Sequence, residues 1–276
     1  MFRLSYWFLP LFAGLAWLGT LAGMLGYWLQ QGRPRFESMS ARQSIPFISD
    51  IGAGSLKPLF IAGSTTMVVV FNAALISERW LRHRARLTPN KSRKEAALNI
   101  AAIVFSLVGA AGLILLTVFD TRQYPKFHAM MVAVFIGGYI LSAIFIAAEY
   151  QRLGIHFRQH KILRVSFWIK LAFIFLELSA AIAFGVTQMY ASWDVAAILE
   201  WILALLFIFY VWSFVIDFLP ALRTKRPEDR FPPVMRSHDE DAMKTQEEGN
   251  MVGGPVYTNG GHDQDTNGTS QPSRNF

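Results

Sequence analysis

The chain of 276 residues is predicted to be an all-α, polytopic membrane protein, a bundle of six transmembrane helices. Six long apolar segments support this prediction, because a helix needs about 20 mostly apolar residues to cross a bilayer core. Only 16% of the residues are charged and the mean hydropathy is +0.32, whereas a soluble domain carries about 25% charged residues. The apolar runs are continuous and do not alternate, which favours helices over a membrane β-barrel.

The six predicted spans occupy most of the chain. In order, they are residues 6–29, 57–80, 98–119, 127–149, 165–190 and 195–219. The first follows Arg3 and looks like a signal peptide, but its apolar run exceeds the roughly 7–15 residues of a signal sequence, so it is interpreted as a retained span. Residues 30–56 form a loop long enough to be functional. The predicted membrane domain is therefore 1–222.

Basic residues concentrate in alternate loops. Sixteen lysines and arginines flank the spans on one side, against six on the other. The positive-inside rule then places both termini in the cytosol and residues 30–56 on the outer or luminal side. The basic residues expected to face anionic lipid are Arg79, Arg82, Arg84, Arg86, Arg152, Arg158, Lys161 and Arg164. Since the net charge of +7 comes mostly from such positions, we predict no nucleic-acid binding.

Residues 223–276 are rich in Gly, Asn, Asp, Ser, Gln and Pro and lack a helical period. Such a segment buries too little apolar surface to offset the entropy of ordering, so it is predicted to be a disordered cytosolic tail. The chain has no cysteine, which excludes disulfides and thiolate chemistry. Common nucleophile, phosphate-binding and zinc motifs are also missing from the sequence. We assign no catalytic residue, no metal ligand and no cofactor.

The intramembrane polar candidates are Asn72, Asn99, Lys170 and Glu177. Charged residues at the bilayer centre cost about 2.5–3.5 kcal/mol on insertion scales, so each needs a reason. Lys170 is expected to extend its ammonium toward the cytosolic surface. Glu177 would then need another partner, and Asn72 or Asn99 are candidates. A buried polar clamp that holds the bundle together is the favoured interpretation, ahead of a substrate or proton site.

A second polar group lies near the outer ends of the spans: Asp50, Asp120, His128 and Glu200. Three carboxylates and a histidine at similar depth could form a lipid headgroup site, a metal site or an acid–base pair. Alternatively, they are ordinary polar residues at helix ends. Asp194 fits that alternative as a good N-cap for the last span.

The pattern of six spans, a long first outer loop with Pro46-Phe47-Ile48-Ser49-Asp50-Ile51-Gly52, and Asp120 followed by His128 resembles the Frag/DRAM/Sfk family. Glu200-Trp201 and Asp217-Phe218 are also similar. The family includes damage-regulated autophagy modulators, fungal suppressor-of-four-kinase proteins and factors acting on GPI-anchored proteins. The resemblance covers roughly residues 5–222, and the long polar tail is most similar to the suppressor-of-four-kinase branch.

The resemblance implies a non-enzymatic membrane protein that organises lipids or recruits a phosphatidylinositol 4-kinase complex. The expected lipids are anionic phospholipid or sterol. The protein's expected location is the plasma membrane, with vacuole or lysosome, or endoplasmic reticulum or Golgi, as alternatives. Such a protein would regulate lipid distribution, signalling or autophagy. The alternative function is remodelling of GPI-anchor lipids on the luminal side, with the outer polar group as its site. We lean away from an enzyme without excluding one.

Overall fold

The computed structural model describes residues 6–88, 92–156 and 161–223. Within them the chain forms eight helices and no strand. In order, these are α1 Phe8–Gln30, α2 Ile48–Gly52, α3 Lys57–His83, α4 Arg93–Val118, α5 Pro125–His156, α6 Lys161–Met189, α7 Trp193–Phe218 and α8 Pro220–Arg223. Six of them are long and apolar enough to cross a membrane, all except α2 and α8. The predicted fold class is therefore confirmed.

The six long helices form a closed ring. Each packs against its neighbour in sequence, and α7 returns to α1. At this closing seam, Trp212 Nε1 donates a hydrogen bond to the Leu11 carbonyl at 3.2 Å. The indole covers Gly14, where an added Cβ would lie 2.1 Å from Nε1, so only glycine fits there. The ring thus has no free edge between its first and last helices.

Aromatic side chains fill the centre of the ring. Phe71 of α3 has its ring centroid 5.2 Å from Phe214 of α7 and 6.1 Å from Tyr139 of α5. Phe207 lies 4.8 Å from Tyr139 in an edge-on arrangement. Such tilted pairs are favoured by the quadrupoles of the rings. The core therefore joins three of the six helices through one aromatic cluster.

Helices alternate in direction, so their ends define two faces. We call the end with residues 31–56, 119–124 and 190–192 the loop face, and the opposite end the basic face. The helices extend beyond the predicted spans at most ends, because charged residues such as Arg82 and Arg93 continue the helical backbone past the apolar segment. α4 begins five residues early, at a capping box in which Ser92 and Glu95 bond each other's backbone. The predicted tail lies outside the described residues, apart from Arg223.

Candidate functional site

Asp50 organises the loop between α1 and α3. Its buried carboxylate accepts hydrogen bonds from Ser38 Oγ at 2.5 Å, Gln43 Nε2 at 3.1 Å and the Phe47 backbone N–H at 2.9 Å. Gln43 also bonds the Ile45 carbonyl at 2.8 Å. Because a carboxylate accepts several donors at once, one residue fixes both the loop and the first turn of α2.

The first two turns of α7 hold the same loop from the other side. Asp194 Oδ1 accepts from the backbone N–H groups of Ser44, at 2.6 Å, and Ile45, at 2.9 Å. Glu200 Oε2 accepts from the Ile48 N–H at 2.7 Å. The prediction that Asp194 is the N-cap of this helix was therefore wrong. Ser192 occupies that position without a side-chain hydrogen bond, and the Asp194 side chain points to the loop instead.

Asp120 and His128 organise the connection between α4 and α5. Asp120 accepts from Lys57 Nζ at 2.6 Å and from the N–H groups of Arg122 and Gln123 at 3.1 and 2.8 Å. Burial acts to raise the pKa of Asp120, but the bonds from Lys57 and the two backbone N–H groups outweigh it and leave the pKa below its usual value.

His128 is buried, and its Nδ1 lies 2.8 Å from the Leu116 carbonyl and 3.1 Å from the Phe119 carbonyl. Both partners are acceptors, so Nδ1 carries the proton. In the neutral ring, Nε2 is then an acceptor.

A cavity of about 820 Å³ lies between this loop and helices α5, α6 and α7. Asp50, His128 and Glu200 line it, whereas Asp120 does not and is engaged with Lys57 instead. The predicted outer group is thus split, with three members facing one space. Exposed Pro125 and Met189 at its rim show that the cavity opens at the loop face.

A smaller chamber of about 80 Å³ continues toward the bundle centre. It shares Val132, Ile136, Phe184 and Glu200 with the larger cavity. Its walls are almost entirely apolar, apart from Glu200, Glu177 and Tyr139. Among the described residues, Glu177 Oε1 has no hydrogen-bond partner, although the side chain is only 6% exposed. A buried carboxyl without a partner is costly and needs an explanation.

The larger cavity also reaches the side of the bundle between α5 and α6. Small residues at helical spacing form this opening: Ala129, Ala133 and Gly137 on α5, and Ala181 and Gly185 on α6. An added Cβ at Gly137 or Gly185 would meet nothing within 4 Å. The other side of α5 is different, since a Cβ at Gly138 would lie 2.6 Å from the Gly109 backbone of α4. Helix α5 is therefore sealed against α4 and open toward α6.

Near the basic face, by contrast, charges pair inside the bundle. Lys170 is fully buried, donates to Asp217 Oδ2 and bonds Ser166 Oγ at 2.8 Å. Its ammonium also lies 4.1 Å from the centroid of Phe214. The prediction that Lys170 extends to the surface was wrong, because Asp217 on α7 provides a counter-charge at the same depth. Sequence separation of 47 residues hid this pair.

Arg82 forms a second buried group with carboxylates from two helices. Its guanidinium bonds Glu78 at 2.6 Å and lies 3.7 Å from Glu149. Asn99 donates to Glu149 at 2.8 Å, and Tyr150 donates to Glu78 at 2.6 Å. The prediction that Arg82 faces lipid was therefore wrong. The spacing of Glu78 and Arg82, four residues apart on one helix, is the signal that would have found the pair.

The proposed partners of Glu177 were also wrong. Asn99 bonds Arg79 and Glu149, and Asn72 donates to the Val68 carbonyl at 2.8 Å.

The remaining predicted basic residues divide by exposure. Arg84 and Arg164 are exposed, and Arg79, Arg86 and Arg152 are half-buried. Arg158 and the side chain of Lys161 lie outside the described residues.

Over residues 5–221 the sequence matches the family model described as the Frag1/DRAM/Sfk1/Cwh43P N-terminal domain. The chain belongs to this family. The match covers all six long helices, the loop face and the cavity, so the site described above lies within the family domain. No solved structure matches the chain.

Two fungal members of the Frag1/DRAM/Sfk1/Cwh43P family are similar to this chain. Protein SFK1 of Saccharomyces cerevisiae is 30% identical over 175 residues, 54% of this chain and 50% of that protein. Protein sfk1 of Schizosaccharomyces pombe is 28% identical over 213 residues, 77% of this chain and 63% of that protein. The chain thus spans between half and two thirds of the length of these relatives. The predicted family is confirmed.

Several residues that shape the site were not predicted. Ser38 and Gln43 hold Asp50, and Trp201 Nε1 donates to the Pro46 carbonyl at 3.1 Å. These contacts join distant parts of the chain and leave no local pattern. The small residues of the α5–α6 opening did leave one, since Ala129, Ala133 and Gly137 repeat every four residues on one helix face.

Proposed function

We propose that this protein is a non-enzymatic, multi-pass membrane protein that organises membrane lipids by holding a lipid in the loop-face cavity. The observation that carries the proposal is the cavity of about 820 Å³, which opens both at the loop face and sideways between α5 and α6. A lipid could enter through the side while its polar group stays at the polar end. Soluble substrates need no such side opening.

The hydrogen bonds at the loop face favour a binding role over catalysis. Asp50 accepts three donors from its own loop, and Glu200 accepts from the backbone of α2. A general acid or base needs to reach a substrate proton, whereas these carboxylates first hold backbone and side chains in place. This supports lipid binding over remodelling of a GPI-anchor lipid.

The family resemblance extends the proposal to a partner. The exposed Arg84 and Arg164 of the basic face, together with the tail, would meet the anionic inner leaflet of the plasma membrane and recruit a phosphatidylinositol 4-kinase complex. This part of the proposal requires the predicted orientation, with both termini in the cytosol. This part also requires that the protein reside in the plasma membrane. Confinement of a C-terminally tagged protein to the endoplasmic reticulum or Golgi would contradict it.

Filling the side opening tests the lipid site. Gly185→Leu places a large side chain where an added Cβ meets no atom, inside the opening. We expect the purified protein to retain about tenfold less tightly bound lipid, measured by mass spectrometry after detergent washing. Gly19→Leu on α1 is the matched control, because its Cβ also meets nothing within 4 Å but Gly19 does not line the cavity. Equal lipid retention in Gly185→Leu and wild type would contradict the proposed function.

A further inference from the structure

Carboxyl groups are the most frequent ionisable side chains in the walls of the two cavities. The side chains of Asp50, Glu177, Glu200 and His128 line one or both cavities. Among the described residues, neither lysine nor arginine lines either cavity. Lys57, the nearest basic residue described at this end of α3, is engaged by Asp120. A phosphate group placed here would face carboxylates with no counter-charge, which is an effective way to reject it.

Several polar groups of the wall are acceptors, beside Ser40, Ser49, Thr121 and Gln188, whose side chains can both donate and accept. Ser38 and Gln43 already direct their donors to Asp50. His128 Nδ1 donates to two carbonyls, so Nε2 of the neutral ring is left as an acceptor. Glu200 accepts one bond at Oε2 from Ile48, and a carboxylate has about four lone-pair sites, so capacity remains. The ligand group that fits such a wall is one that donates hydrogen bonds.

Glu177 adds an independent observation. Its Oε1 is buried in the apolar inner chamber without a partner in the described residues. The chamber joins the larger cavity at Glu200, so the two carboxyls lie on one connected space. By helical rise, Glu177 lies about 18 Å from the loop-face end of α6 and Glu200 about 10 Å from that of α7. A cation bound near Glu200 would therefore approach Glu177 from the polar side and reduce the cost of its burial.

Resting on the proposed lipid-binding function, we propose that the cavity binds a long-chain amine. The ammonium lies among Glu200, Asp50 and His128, and the single hydrocarbon chain leaves through the opening between α5 and α6. An ammonium provides three donors and a positive charge in a compact group, which matches the carboxyls of Asp50, Glu177 and Glu200. The small residues along α5 and α6 leave room for one chain beside the helices.

The experiment compares three photoreactive lipids on the full-length protein in phosphatidylcholine nanodiscs. They are a sphingosine probe, the same probe with its amine acetylated, and a phosphatidic acid probe. After irradiation, cross-linked peptides are identified by mass spectrometry. We expect the sphingosine probe to label residues 125–140 and 181–193. The other two probes should label them about tenfold less, because neither carries the positive charge that the carboxylates bind.

Variants locate the charge that is recognised. Glu200→Gln keeps an oxygen for the Ile48 N–H and should reduce sphingosine labelling by about tenfold. Glu177→Gln should also reduce it, and it decides the question if Glu200→Gln does not fold. Glu37→Gln is the matched control, since Glu37 lies in the loop between α1 and α2, is exposed and pairs with Arg122 outside the cavity. Its labelling should equal that of wild type.

The outcomes separate the two proposals. Equal labelling of the cavity peptides by all three probes, or unchanged labelling in Glu200→Gln and Glu177→Gln, would overturn the amine and leave the lipid-binding function intact. Stronger labelling by phosphatidic acid would do the same. Failure of every probe to label these peptides would overturn the proposed function itself.

Discussion

The two faces of the bundle use charged residues in different ways. Near the basic face, Lys170 and Arg82 pair with carboxylates from other turns and other helices, and these groups fill the interior. At the loop face, Asp50, Asp194 and Glu200 bond mainly backbone N–H groups, and a large cavity lies beside them. The buried charges near the basic face satisfy each other, whereas the carboxyls that line the loop-face cavity keep acceptor capacity. The loop-face pair of Asp120 and Lys57 does not line that cavity.

This difference indicates where a ligand can bind. A paired lysine and aspartate offer little to a third group, because each already has its counter-charge. A carboxyl that accepts from an amide retains some of its lone pairs for a ligand. We therefore expect the basic half to serve as the framework of the bundle and the loop half to provide the proposed binding surface. Three variants test this division.

The largest effect is expected from Lys170→Ala. This change leaves the buried Asp217 carboxyl without its counter-charge, and breaking a buried pair by removing one partner costs about 3–5 kcal/mol. The midpoint of thermal unfolding, followed by tryptophan fluorescence in nanodiscs, should fall strongly. The double variant Lys170→Met with Asp217→Leu removes both charges and should recover most of the loss. If the single and double variants were equally unstable, packing and not charge would explain the effect.

A smaller, local effect is expected from Asp194→Ala. The Ser44 and Ile45 N–H groups lose their acceptor, but water can replace it at this partly exposed position, so the loop loses about 1 kcal/mol against opening. Hydrogen exchange of residues 40–48 should accelerate by about fivefold while exchange in α3 stays unchanged. Glu37→Ala is the control, since it removes an exposed carboxylate from the same loop. Faster exchange throughout the bundle would show that Asp194 supports the framework as well.

The smallest effect is the pH dependence of the Asp120–Lys57 pair. Because the pKa of Asp120 is below its usual value of 3.8 in the folded state, the pair stabilises the protein above that value and its contribution is lost as the pH falls through the folded pKa. Asp120→Asn should therefore be less stable than wild type by about 1 kcal/mol at pH 7. The difference should shrink as the pH falls below 3.8 in a thermal unfolding series that starts at pH 7. A difference that persists in acid would assign the effect to the geometry of the turn.

Hydropathy predicts the long helices because crossing a membrane imposes a length and composition that a single segment displays by itself. The pairing of polar residues is not predictable in this way. The sequence places Glu78 beside Arg79 and Asp217 near Arg223, whereas the folded chain pairs Glu78 with Arg82 and Asp217 with Lys170. Two residues pair when they lie at the same depth on helix faces that contact each other. Both conditions depend on contacts between distant segments.

The outer polar residues show an intermediate case. Their common depth follows from the topology, which predicts Asp50, His128 and Glu200 at one end of the bundle, and all three line one cavity. Their orientation depends on the loop, which folds back through Gln43 and Trp201. Asp120, by contrast, pairs with Lys57 and does not line the cavity. The path of the loop is not evident from the sequence, so the sequence alone could not predict which of these residues face the cavity and which do not.

Closure of the ring by Trp212 against Gly14 has a consequence for biogenesis. Helix α1 can contact α7 only after the ribosome has synthesised about 200 further residues. During that interval, the exposed flank of α1 must be shielded by the insertion machinery or by lipid. A chain that ends before α7 would therefore remain an open arc, and membrane quality control would have a persistent uncovered helix to recognise.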